Sequence, residues 1–81
     1  MNQDYSWRPL PSADFSGQDC SNDVFRGADL SGADFNGANL RGANFRGARL
    51  TGAQLRADLS NAKLPVAHLG GADLRDADLS Y

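Results

Sequence analysis

The chain has 81 residues, with eight Lys or Arg against ten Asp, one His and a net charge of −2. That balance gives no indication of nonspecific attraction to nucleic acid, and the single cysteine, Cys20, excludes a disulfide framework. There is no charged-then-apolar leader and no long apolar run, so neither secretion nor a membrane span is expected, and the chain fits a reducing cytoplasm.

Met1 to Ser12 differs in pattern from the rest of the chain. It holds Tyr5, the only Trp (Trp7), Pro9 and Pro11. Proline lacks the donor that invites another strand, so the segment is expected to cap the N-terminal end of residues 13–81, with Trp7 lying over the first turn. Tyr5 and Leu10 nevertheless fall in register with the later apolar residues, which leaves open a degenerate pair of repeat units.

From Phe15 onward an apolar centre recurs every fifth residue: Phe15, Cys20, Phe25, Leu30, Phe35, Leu40, Phe45, Leu50 and Leu55, then Leu59, Leu64, Leu69, Leu74 and Leu79. Ala stands two places before the centre in twelve of these fourteen units, Gln18 and Asp23 being the exceptions. Asp or Asn usually precedes the centre, and Gly usually stands two after it. Neither a helix nor an ordinary strand has a period of five, so a short-repeat solenoid is expected. Phe alternates with smaller centres as far as Phe45, superimposing a period of ten. The spacing breaks once, between Leu55 and Leu59, where one corner residue is missing near Arg56 and Ala57.

These A-(D/N)-L-x-x units resemble the pentapeptide-repeat family over about Ala13 to Tyr81. The resemblance implies an all-β fold: a right-handed, four-sided (quadrilateral) β-helix of about three and a half to four turns, four units to a turn. The residues agree with it independently. Centre and Ala are the only steadily apolar positions and must face inward, and Gly, Asn and Asp suit tight corners. The fourteen centres and the alanines from Ala28 to Ala77 are expected to be buried, with no helix longer than one turn. The missing residue is expected to be absorbed in its corner, leaving Leu59 near Leu40 and Leu79, and Leu64 near Phe45.

No catalytic, cofactor or metal constellation is present. His68 reads as a surface residue and Cys20 as an inert space-filler in the stack. Only Gly70-Gly71 approaches the G-G-x-G-x-D calcium repeat. Ser16…Asp19 and Ser31…Asp34 match a helix capping box only because the five-residue unit generates that spacing. A packed interior leaves no room for a substrate, so the protein is expected not to be an enzyme.

The surface remains. One basic side, centred on Phe25, Phe45 and Leu64, shows Arg26, Arg46 and Lys63. Two acidic sides carry Asp14, Asp34, Asp73, Asp19, Asp58 and Asp78, diluted by Arg41, Arg56 and Arg75. The expected function is a rigid protein-interaction or scaffold module with an unknown protein partner, without direct nucleic-acid or membrane binding. The alternative, which the resemblance supplies, is a DNA mimic binding a type II topoisomerase, of the quinolone-resistance type. It fits less well on a short surface of mixed charge. At the C-terminus the repeat runs on without a cap, so a homodimer through the last turn is expected, with Leu74, Asp76, Leu79 and Tyr81 at the interface.

Overall fold

The computed structural model describes residues 3–80, and among these there is no helix. Single-residue parallel bridges join each turn to the next in four columns. One column runs Asp4, Val24, Asn44, Lys63; the second runs Pro9, Asp29, Arg49, His68. The third runs Asp14, Asp34, Gln54, Asp73, and the fourth runs Asp19, Asn39, Asp58, Asp78. The chain is thus a four-sided coil of four turns, measuring 26 × 25 × 22 Å. Each side is named by the centres that come after its bridge residues. Side 1 has Tyr5, Phe25, Phe45 and Leu64; side 2 has Leu10, Leu30, Leu50 and Leu69. Side 3 has Phe15, Phe35, Leu55 and Leu74; side 4 has Cys20, Leu40, Leu59 and Leu79.

The five-residue unit makes this shape through its backbone. The centre's N–H donates to the next turn, as Phe25 does to Asn44 O at 2.7 Å. Its carbonyl accepts across the corner, from Ala28 N–H to Phe25 O at 3.1 Å. The second corner residue has positive φ, from Trp7 (64°) through Gly27 (66°) to Asp76 (60°), the signature of a type II turn. Asp or Asn before the centre locks the corner from outside. Asp14 Oδ1 accepts from both the N–H of Ser16 (2.9 Å) and its hydroxyl (2.6 Å), an Asx-type turn. The pairs Asp4–Ser6, Asp19–Ser21, Asp29–Ser31 and Asp58–Ser60 repeat it.

Inside, the period of ten becomes two aromatic columns. Tyr5, Phe25 and Phe45 stack along side 1 at 5.0 and 4.9 Å, and Phe15 stacks on Phe35 along side 3 at 5.0 Å. The columns meet edge-to-face at 5.5–5.8 Å, a favourable aromatic geometry. Every centre from Phe15 to Leu59 is buried, as are the alanines from Ala28 to Ala57. The last turn departs from expectation. Leu64, Leu69 and Leu74 are half-buried, as are Ala62, Ala67, Ala72 and Ala77, and Leu79 is exposed. These four centres form the last turn, and among the described residues nothing stacks on its far face.

The N-terminal cap also needs correction. Met1 and Asn2 lie outside the described residues, but residues 4 to 12 are the first two units of the coil rather than a lid. Asp4 and Pro9 bridge to the second turn, and Tyr5 and Leu10 pack against the core. Trp7 does not cover the end; it occupies a corner, 72% exposed. The missing residue is absorbed locally. Bridges spaced by twenty become nineteen across the gap and return to twenty at Asp58–Asp78. Ala57 N–H reaches Leu55 O at 2.8 Å, closing that corner one residue sooner, so Leu59 lies between Leu40 and Leu79, and Leu64 beside Phe45.

Candidate functional site

With the interior filled by side chains, the chemistry lies outside. Sides 1 and 2 and the corner between them carry Arg8, Arg26, Arg46, Arg49 and Lys63 against Asp4 and Asp29, a net charge of +3. Sides 3 and 4 carry Arg41, Arg56 and Arg75 against Asp14, Asp19, Asp34, Asp58, Asp73, Asp76 and Asp78, a net charge of −4. Buried Asp23 completes the total of −2. The small body is therefore electrically two-sided.

The two flanks use their charges differently. All three arginines of sides 3 and 4 are paired: Arg41 with Asp58 at 3.6 Å, Arg56 with Asp76 at 2.7 Å, Arg75 with Asp73 at 2.9 Å. Among the described residues no cation of sides 1 and 2 is in an ion pair. Lys63 and, in the first turn, Asp4 lie in the bridge column of side 1, Arg26 and Arg46 come directly after its centres Phe25 and Phe45, and Arg8, at the start of the Leu10 unit, has its guanidinium 5.8 Å from the Tyr5 ring centre. Arg49 and His68 flank them on side 2. The corner shared by these sides runs Trp7, Gly27, Gly47, Val66. The Trp7 ring lies so close over Gly27 that a Cβ there would run into it. Sequence reasoning missed Trp7 and Val66 as a pair, although both stand where Gly recurs, which was the available signal.

Hydroxyl and N–H donors favour the ionised form of the aspartates at the corners, on both flanks. The Ser16 side chain, then its N–H, lowers the pKa of Asp14; Ser21, Ser31 and Ser60 act in the same way on Asp19, Asp29 and Asp58. The Arg75 side chain, followed by its N–H, brings Asp73 down to about 2. Because these folded-state values lie below those of the unfolded chain, their stabilisation is complete above the ordinary Asp value of about 4 and is lost as pH falls through the lowered values. The melting temperature should therefore drop between about pH 4 and pH 2. Replacing Ser16, Ser21, Ser31 and Ser60 together by Ala should lower it at neutral pH and flatten that drop. Melts followed by circular dichroism across this range check both, and an unchanged acid limb in the variant would contradict the assignment.

Cys20 is buried, and desolvation, followed by nearby Asp23, pushes its thiol up to about 11, well removed from a nucleophile. Asp23, 2% exposed, accepts the Gln3 N–H at 2.8 Å. Among the described residues no group of His, Cys, Asp or Glu has the arrangement of a metal site, and no helix is long and apolar enough to cross a membrane. At the C-terminal end Leu74 is half-buried, Leu79 is 52% exposed and Asp76 is held by Arg56; Tyr81 lies outside the described residues. Leu59, Ala62, Leu64, Pro65 and Leu79 line a shallow apolar groove there, with Lys63 at its edge.

Several solved structures share this coil. A pentapeptide repeat protein from the cyanobacterium Cyanothece 51142 is 34% identical, with a TM-score of 0.87 over 93% of this chain and 52% of its own. A pentapeptide repeat protein of the Arabidopsis thaliana thylakoid lumen is 33% identical, with a TM-score of 0.69 over 89% of this chain and 54% of its own. A pentapeptide repeat protein from Nostoc PCC 7120 is 33% identical, with a TM-score of 0.54 over 99% and 76%. The chain thus spans about half the length of the first two. Among curated proteins none matches. The architecture is the right-handed quadrilateral β-helix of these proteins. The model of the family described as pentapeptide repeats matches in eight copies, over residues 10–47, 24–57 and 56–81. On that match and these structures, the chain belongs to the pentapeptide-repeat family.

Proposed function

We propose that the chain is a non-catalytic interaction module, a rigid post that presents its charged flanks and last turn to protein partners. The observation that carries this is the division of charge, +3 on one flank and −4 on the other, around an interior with no room for a substrate. A filled interior makes the backbone stiff, so the surface charges hold fixed positions and little ordering is lost on docking.

The last turn supplies one partner surface, for a second copy. The N–H groups of Leu64, Leu69 and Leu74 occupy the position that donates to the following turn elsewhere, and the apolar groove beside Leu79 is open. Two such ends meeting about a twofold axis are self-complementary. Light scattering during size exclusion at tens of micromolar should give the mass of a dimer, and Leu79→Asp should return it to a monomer. A wild-type monomer would remove this interface from the proposal.

A second reading has one observation in its favour. Seven aspartates share sides 3 and 4, and hydrogen bonds lower the pKa of Asp14, Asp19, Asp58, Asp73 and Asp78, as a DNA mimic directed at a type II topoisomerase requires. Three of the seven are in ion pairs with arginine, which reduces the field. A gyrase supercoiling assay, with and without a quinolone, separates the readings; inhibition or drug protection at micromolar protein supports the mimic.

A further inference from the structure

We propose that the corner between sides 1 and 2 docks an extended acidic segment of a partner protein, with an apolar residue of that segment seated at each end. The proposal rests on the interaction-module reading and names the partner's chemistry.

The first observation is conformational. Trp7 and Val66 are two of the three large apolar side chains strongly exposed in the described residues, at 72% and 73%. They stand at the same corner position, in the first and last turns. Both have positive φ, 64° and 50°, where Gly27 and Gly47 serve in the turns between. A bulky or β-branched residue is a genuine outlier in this region, and such strain persists where the side chain is used. Val66 comes directly after Pro65 in a turn that would accept glycine there at lower cost. Neither the fold nor the core explains an exposed valine at this place.

The second observation is charge. Between the two apolar residues stand Arg26 and Arg46, with Arg49 and Lys63 on either side, and no described carboxylate forms an ion pair with any of them. Exposed Trp beside Arg is the composition of interface anchors, and an unpaired row of cations selects an anionic partner. The spacing gives a length. Turns stacked at about 4.8 Å place the Trp7 and Val66 corners about 14 Å apart, and extended chain advances about 3.3 Å per residue. An apolar residue, three residues rich in Asp or Glu, and a second apolar residue fit that distance. The net −4 of the opposite flank, within a body 26 Å across, opposes a long polyanion more than it opposes a short peptide.

Trp7 is the only tryptophan, so its emission reports the edge directly. The probe is a blocked peptide with two leucines bracketing three acidic residues, titrated against the whole chain. A lysine peptide of the same pattern and a short DNA duplex serve as comparators. The acidic peptide should shift Trp7 emission saturably, while the lysine peptide and the duplex do not. The double variant Arg26→Glu/Arg46→Glu should weaken binding by about tenfold or more. Val66→Gly should weaken it by about threefold while raising the melting temperature, a combination that a purely structural role does not give. Circular dichroism confirms that both variants are folded. An acidic peptide that leaves Trp7 unchanged, an affinity unaltered by the charge reversal, or a duplex that competes equally would overturn the proposal. If the peptide fails while the chain still pairs through its last turn, the interaction-module reading stands and only this edge falls.

Discussion

Replacing Phe35 by Ala should cost about 3–5 kcal/mol, among the largest losses expected from a single truncation of this core. Phe35 is fully buried, stacked on Phe15 at 5.0 Å and edge-on to Phe25 and Phe45 at 5.6 and 5.8 Å. Removing its ring leaves a cavity with walls that cannot collapse, because they are held by backbone bonds between turns rather than by movable helices. It also removes three aromatic contacts, each contributing about 0.5–1.5 kcal/mol beyond area alone. Small domains are stable by only about 5–15 kcal/mol, so the variant should be partly unfolded at physiological temperature. Leu69→Ala is the comparison that matters. Leu69 sits in the half-buried last turn, and its loss should cost well under half as much. Urea unfolding followed by circular dichroism measures both. Equal losses would mean that the last turn is as well packed in solution as the second, and therefore covered.

This gradient along the axis marks where the sequence was readable. The period of five places Phe15 to Leu59 inside without any knowledge of neighbours, because each unit contacts the same unit one turn away. It cannot say how well Leu64 or Leu79 is covered, since that depends on what stacks next. At the first turn the same ambiguity misled the reading of Met1 to Ser12. Arg8 stands where Ala is required in the middle, and Pro9 where Asp is usual. An end position has no turn above it to crowd, so those substitutions are tolerated in a true unit, and Tyr5 and Leu10 were the better guide. The Asp-x-Ser pairs, visible as Asp29 and Ser31, were legible in spacing but not in meaning until the hydroxyl was seen on the carboxylate. Counting by fours places the units of Phe25, Phe45 and Leu64 on one side, and the bridges from Val24 to Asn44 to Lys63 join those units. Which arginines are paired was not legible, since long side chains choose partners by rotamer and not by register.

The same logic separates two insertions of a single residue. A glycine placed after Arg56 should change stability by no more than about 1 kcal/mol. It restores the usual corner, replacing the tightened bond from Ala57 N–H to Leu55 O with the four-residue turn found in every other unit. The sides before and after already hold their columns, with Leu59 over Leu40 and Leu64 over Phe45. A glycine between Asn44 and Phe45 should instead unfold the chain. Side chains alternate in and out along a bridged segment, so a shift of one residue turns Phe45 outward and leaves its place in the aromatic column empty. The loss of Phe45 alone is worth about 3–5 kcal/mol. The displaced N–H groups of Asn44 and Phe45, which bond Asp23 O at 3.0 Å and Lys63 O at 2.7 Å, must also find new partners. Soluble yield, circular dichroism and amide exchange distinguish the outcomes. A folded mid-side insertion, with the far turns still protected from exchange, would show that register passes from turn to turn through the corners and not through the inward centres.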